Sequence, residues 1–210
     1  MSCNLCPLAL PAQVRGRGSK TPKLIIVGEH PTTEDEGNLD VFSAGTNPKR
    51  VYSNSIIRRA MAGIGLDWEE DVYAAYVLRC NPFHRAEEIK VKPAFLTTCR
   101  VQNLEPELKD VDCDLILAMG NWAMSSLVPE AKGPLPKNRG RWWEVNLGGR
   151  RRLVRVTFSC NFIESNSIYH HEVDARGRVS REERLNYPGT CGWFFQRDLK
   201  AVRSKIQEHD

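Results

Sequence analysis

Seven cysteines stand in a chain of 210 residues, and two of them form the pair Cys3-Asn4-Leu5-Cys6. A Cys-x-x-Cys pair holds two thiolates on one side of a tight turn, which suits zinc or an iron–sulfur cluster. Two more distant cysteines would complete a four-thiolate set. Spacing alone leaves a redox pair or an incidental pair open. A second group of reactive types gathers just after short apolar runs: Gly28-Glu29-His30-Pro31, Arg79-Cys80-Asn81-Pro82, Gly120-Asn121 and Ser159-Cys160-Asn161. His30 could act as acid, base or donor, or stand as an ordinary loop side chain. A third group is basic. Lys137, Arg139, Arg141, Arg150, Arg151, Arg152 and Arg155 fall within 19 residues, opposed by Glu144 alone, with Trp142 and Trp143 among them. Clustered arginines neutralise phosphates, and a neighbouring indole can stack on an unpaired base. The bland counterpart is a solvated hairpin whose tryptophans pack inward. The adjacent pair His170-His171 reads most simply as part of a solvated polar loop.

These residues need elements to position them. Leu24 to Val27 is apolar and β-branched and stops at Gly28, the pattern of a buried parallel strand. Val72 to Leu78, Asp114 to Met119 and Leu153 to Phe158 repeat it. Between them, helical spacing is predicted from Ser53 to about Gly65, from Pro93 to about Leu108, and from Gly120 through Leu127. A closing helix spans Trp193 to Ile206. Residues 30–50 and 128–152 read as long loops, and 160–190 as polar and unassigned. Strand–helix alternation predicts a three-layer α/β/α sandwich around a central four-stranded, mainly parallel sheet, in one domain over residues 1–210. In such sheets ligands bind at the carboxyl ends of the strands, where the unusual residues collect.

Composition agrees. With 41% hydrophobic and 27% charged residues and a formal net charge of +4, the chain can bury a core. Its apolar runs are too short to span a membrane, and MSCNLC lacks the basic and apolar regions of a signal peptide. A cytoplasmic protein is expected, and the odd cysteine count argues against a disulfide framework there.

In order and spacing the motifs resemble the iron–sulfur uracil-DNA glycosylases, family 4 of the uracil-DNA glycosylase superfamily. That family begins with Cys-x-x-Cys and continues with a Gly-Glu-Ala-Pro-Gly loop, an acidic pair and Pro-Phe. It then carries Asn-Val-Val-Lys-Cys-Arg-Pro, a fourth cysteine, Leu-Gly-x-x-Ala, Arg-Gly and His-Pro-Ser. Here stand Cys3-x-x-Cys6, Gly28-Glu29-His30-Pro31, Asp35-Glu36, Phe42, Tyr76-Val77-Leu78-Arg79-Cys80-Asn81-Pro82, Cys99, Gly120-Asn121-Trp122-Ala123, Arg139-Gly140, Val156-Thr157-Phe158 and Asp198-Leu199. Phe42 lies fourteen residues after Gly28, as the pattern requires. The likeness covers most of the chain and weakens between about residues 162 and 190.

The resemblance implies a [4Fe-4S] cluster on Cys3, Cys6, Cys80 and Cys99, with residues 1–22 as a cluster-binding lead-in and zinc as the alternative. Cys113, Cys160 and Cys191 match no ligand position. It implies a base flipped out of DNA, stacked on Phe42 and read along its edge at Tyr76. Glu29 and His30 would line the water side, and Ser159 and Asn161 the donor loop. Lys137, Arg139, Arg141 and Arg150 would contact DNA, and the protein would act as a monomer.

Two positions depart from the family. Tyr76 replaces the base-reading asparagine, giving one hydroxyl and more bulk where an amide both donates and accepts. Ser159 replaces the histidine of His-Pro-Ser, a shorter and neutral donor. The expected activity is hydrolysis of the N-glycosidic bond of a flipped uracil or related modified base, of the base-excision repair type. The departures add a glycosylase for a modified pyrimidine, and a catalytically silent DNA-binding accessory protein that keeps the fold and cluster.

Overall fold

The computed structural model describes residues 13–43, 55–83, 90–166 and 189–209. Six strands form one sheet in the order β1-β3-β2-β4-β6-β5. They are β1 (Arg17–Gly18), β2 (Leu24–Gly28), β3 (Val72–Tyr76), β4 (Leu115–Met119), β5 (Trp142–Leu147) and β6 (Arg150–Thr157). The middle four, β3, β2, β4 and β6, are parallel and match the four expected strands. Every residue of β2, β3 and β4 is buried, so both faces of the sheet are covered, as continuous apolar runs require.

The expected count of four strands is corrected to six by two antiparallel edges. β1 is two residues long and sits in a segment that reads as polar lead-in. β5 lies in the Pro/Gly/Arg-rich stretch that reads as loop. Its alternation of half-buried and exposed side chains is that of an edge strand, and the turn Gly148-Gly149 hands it to β6.

The helices begin where the strands end. α1 (Thr33–Asn38) falls within the expected long loop after β2. α2 (Ser55–Gly63) matches its predicted span, although the proposed cap Ser53 lies outside the described residues. The predicted helix from Pro93 is continuous but changes pitch: α3 (Pro93–Cys99), a π-turn (Arg100–Leu104) and α4 (Glu105–Leu108). Pro106 lacks the N–H that would bond the Gln102 carbonyl, so the regular ladder cannot pass it. α5 (Asn121–Leu127) follows β4, α6 (Leu135–Asn138) precedes β5, and α7 (Cys160–Asn166) follows β6. The closing helix α8 (Cys191–Gln207) is capped by Thr190, whose hydroxyl accepts from Trp193 N.

α8 is fixed to the sheet through buried charge. Asp198 is fully buried and accepts from Arg139, Arg155 and the Thr157 hydroxyl at 2.9–3.2 Å. Arg139 also donates to the Phe194 carbonyl and lies over the Phe194 ring. Removing one partner of such a set leaves uncompensated charge in the core, at a cost of about 3–5 kcal/mol. Arg152 is buried too, and donates to the carbonyls of Leu108, Val111, Cys113 and Leu147.

Candidate nucleobase site

The carboxyl ends of β2, β3, β4 and β6 enclose one cavity, and Glu29, His30, Phe42, Tyr76, Ser159 and Asn161 all line it. The parallel sheet explains this gathering of residues up to 132 positions apart: each strand delivers its following turn to the same end.

The cavity measures about 30 Å³, room for a water molecule but not for a pyrimidine. Two rings fill the remainder. Phe42 and Tyr76 are 3% and 4% exposed, with centroids 4.8 Å apart. Both press on Gly28, where a Cβ would lie 2.7 Å from each ring. Tyr76 is held at its tip as well: its hydroxyl donates to Asp35 Oδ2 (2.8 Å) and accepts from Phe42 N (3.1 Å). Burial pushes the Tyr76 phenol well above its ordinary value, and the neighbouring Asp35 charge adds to this, so the ring stays protonated and keeps donating.

Asp35 organises this wall. It closes a capping box with Thr32 at the start of α1 and accepts from Ser43 N at 2.7 Å. Burial lifts its carboxyl above the usual range, and these donors oppose the shift. The chain between α1 and Phe42 is strained: Leu39 and Phe42 have φ of 49° and 50°, left-handed values costly for branched or bulky side chains. Arg58 of α2 offsets this by donating to the Phe42 carbonyl (2.9 Å) and to Asp40 (3.0 Å). The wall residue Phe42 is thus set by Asp35, Arg58 and Tyr76 together.

On the opposite side, Glu29 turns toward the start of α5. Its Oε1 accepts from Trp122 N at 2.9 Å, with Asn121 N a second donor. Gly120 permits this approach: its φ is 99°, and a Cβ there would stand 2.2 Å from the Glu29 carboxyl carbon. Burial raises the Glu29 pKa, and the two amides oppose it. Glu29 therefore ties the β2 turn to the β4 turn. His30 Nδ1 lies 2.9 Å from the Pro31 carbonyl, which can only accept, so Nδ1 carries the proton and Nε2 keeps its lone pair. Burial pulls the His30 pKa below 6.5 despite the charges of Asp35 and Glu36, so the ring is neutral at pH 7.

Ser159 precedes α7 and caps it: its hydroxyl accepts from Phe162 N at 3.4 Å and its carbonyl from Ile163 N at 2.9 Å. The hydroxyl proton remains available to the cavity. Asn161, in the first turn of α7, is exposed at the rim.

The cysteines divide. Cys3, Cys6 and the pair His170-His171 lie outside the described residues. Cys80 and Cys99 are both buried, the first just beyond β3 and the second at the end of α3. Asn103 Nδ2 donates to Cys99 Sγ at 3.4 Å, the kind of N–H···S contact that supports a ligating thiolate. Val14 N donates to the Arg79 carbonyl at 2.8 Å, so the chain arriving from Cys3 and Cys6 reaches the fold beside Cys80. Cys80 and Cys99 are thus two buried thiols among the four cysteines that the resemblance assigns to a metal centre. Among the described residues alone no three ligand types cluster. Cys113 is buried, and desolvation pushes its thiol up to about 11, in keeping with a structural residue.

The basic segment separates into three parts. Arg139, Arg152 and Arg155 point inward; for Arg139 this replaces the expected place on a DNA-facing surface. Arg150 pairs with Asp112 and Asp114 at the start of β6, seven residues before Thr157, about 23 Å along the strand from the cavity end. Lys137 and Arg141 are exposed near the end of β6 that faces the site, since Trp142 pairs with Arg155. Arg141 lies 3.7 Å over the Trp143 ring, which is half-buried and bonded through Nε1 to the Asn138 carbonyl. Trp143 packs against the protein rather than standing free.

Sequence reasoning overlooked the support of the site: Asp35 as the anchor of Tyr76, Arg58 behind Phe42, and Asp198 behind the β6 turn. Only the Thr32-x-x-Asp35 spacing carried a local sign, that of a capping box.

A doubly covered parallel sheet with a small, ring-walled cavity at its carboxyl end, built from these turns, is one of a small number of arrangements. Compared with known families, residues 15–169 match the uracil DNA glycosylase superfamily. The chain belongs to that superfamily, and the match contains every residue lining the cavity. No curated protein matches the sequence significantly. No described helix is long and apolar enough to cross a membrane.

Proposed function

We propose that the protein is a DNA glycosylase that hydrolyses the N-glycosidic bond of a flipped uracil or related modified base. The observation that carries this reading is the convergence of Glu29, His30, Phe42, Tyr76, Ser159 and Asn161 on a single cavity. In this reading Phe42 is the stacking wall. Neutral His30 accepts a proton from the attacking water at Nε2, with Nδ1 held by Pro31. The Ser159 hydroxyl and the Asn161 amide donate to the oxygen of the departing base, where negative charge develops. Glu29 positions the water-side turn through α5 instead of touching substrate. Lys137 and Arg141 meet the phosphates.

Tyr76 sets base choice. A base entering the cavity must displace its ring from Asp35, which disfavours plain uracil relative to a base that can exploit the phenol. The same observation favours a second reading, a DNA-binding accessory protein without excision, because the locked Tyr76 leaves space for little more than water.

Cys3, Cys6, Cys80 and Cys99 are proposed to hold a [4Fe-4S] cluster, with zinc as the alternative; either would brace the lead-in against β3 and α3. The test of function is a panel of oligonucleotides bearing uracil, hydroxymethyluracil, hypoxanthine or mismatches, each followed by cleavage at abasic sites. Strand breaks on at least one modified oligonucleotide support the glycosylase. None on any, with salt-sensitive DNA binding retained, supports the accessory reading.

A further inference from the structure

At the rim of the cavity, the lining residue His30 meets two further rings. His30 lies 5.2 Å from Phe83 and 5.4 Å from Trp122, and the Phe83 and Trp122 rings are 6.2 Å apart and within 20° of parallel. Phe83 is 51% exposed, a large apolar side chain left in water at the end of the sheet where the site lies. Its backbone is fixed: Phe83 N donates to Asn81 Oδ1 (3.0 Å), and Asn81 N donates to Glu36 Oε1 (2.7 Å). The ring is thus backed by two aromatics and held from below, with a face open to solvent. Lys90 and Lys92 are exposed just before α3, and α3 and α5 both start at the carboxyl end of the sheet, where Trp122 lies in the first turn of α5.

We propose that Phe83, backed by Trp122 and His30, is a stacking platform for an unpaired base of single-stranded DNA. A braced aromatic face open to solvent is how sequence-tolerant stacking on single strands is built. Paired bases of a duplex are already stacked on their neighbours and gain nothing from the platform unless they are flipped out. The cavity behind, at about 30 Å³, cannot take a base while Tyr76 holds its place, so the first ring an unpaired base meets is Phe83. The proposal rests on the reading that the protein binds DNA, and goes beyond it by naming the strandedness and the contact.

The test is fluorescence anisotropy of the full chain with a labelled oligothymidine and with a duplex of equal length. F83A and F83L are expected to weaken single-strand binding about 5- to 150-fold, the range for loss of one base–aromatic stack. F83Y, which keeps the ring, is expected to bind as the wild type, and duplex binding to be unchanged in all three. Single-strand affinity undiminished in F83L, with wild-type binding intact, would overturn the platform and leave the DNA reading standing. A wild-type protein that binds neither oligonucleotide would overturn both.

Discussion

Removing one oxygen from Tyr76 tests whether the ring is a fixed plug. In Tyr76→Phe the ring stays, but its donation to Asp35 Oδ2 at 2.8 Å and its acceptance from Phe42 N at 3.1 Å are lost. A bond to a charged acceptor contributes about 1.5–3 kcal/mol, and a stranded buried N–H costs about 1–3 kcal/mol. Asp35 keeps its bonds from Thr32 and Ser43, which limits the damage. The expected loss is about 2–4 kcal/mol. It is read as a lower midpoint in urea with an unchanged slope. The loss also depends on pH. Burial already holds the Asp35 carboxyl above its ordinary value, and losing the Tyr76 donor raises it further. A group whose native pKa is raised stabilises at acid pH and loses that contribution as pH climbs through the native value. The gap between wild type and Y76F is therefore expected to widen from acid toward neutral pH. A loss below about 0.5 kcal/mol at pH 7 would show that Tyr76 is not locked, and the small cavity would no longer bear on base choice.

Other variants probe the rest. Asp198→Ala is expected to destabilise the fold by about 3–5 kcal/mol, since it leaves Arg139 and Arg155 buried without their carboxylate; thermal unfolding checks this. If His30 is the base, activity should persist to pH values below 6.5 before falling on the acid side, and His30→Gln should abolish that limb of the pH–rate profile. Replacing Lys137 and Arg141 by alanine should lower the salt slope of DNA binding by about 1–2, while Arg150→Ala, at the far end of β6, leaves it unchanged. Anaerobically purified protein should absorb near about 400 nm, and Cys80→Ser or Cys99→Ser should remove the band; zinc without absorbance would select the other metal.

The fold's centre was legible because buried parallel strands announce themselves. Leu24 to Val27 and Leu115 to Met119 have no polar residue to place at a surface, and each is stopped by a glycine where the chain must turn. The edges were not legible. β1 has only two residues, and β5 mixes tryptophans with charge as an edge strand should, which looks like a loop when its partner is unknown. Of the residues lining the cavity, Glu29, His30, Ser159 and Asn161 stood out because they follow strands closely, whereas Phe42 and Tyr76 were singled out by the family pattern. What held them was hidden, because Asp35–Tyr76 and Asp198–Arg139 join positions 41 and 59 apart that only folding brings together. Arg139 shows the limit of charge counting: an arginine in a basic run is indistinguishable in sequence from one that serves the core.

The most direct measurement is single-turnover release of free base from the modified oligonucleotides, by the wild type and by His30→Gln and Asn161→Ala. The account predicts release by the wild type from at least one oligonucleotide, slowed about 10²- to 10³-fold by loss of the Asn161 donor and at least tenfold by loss of the His30 base. No free base from any oligonucleotide, or release at the wild-type rate by both variants, would contradict it.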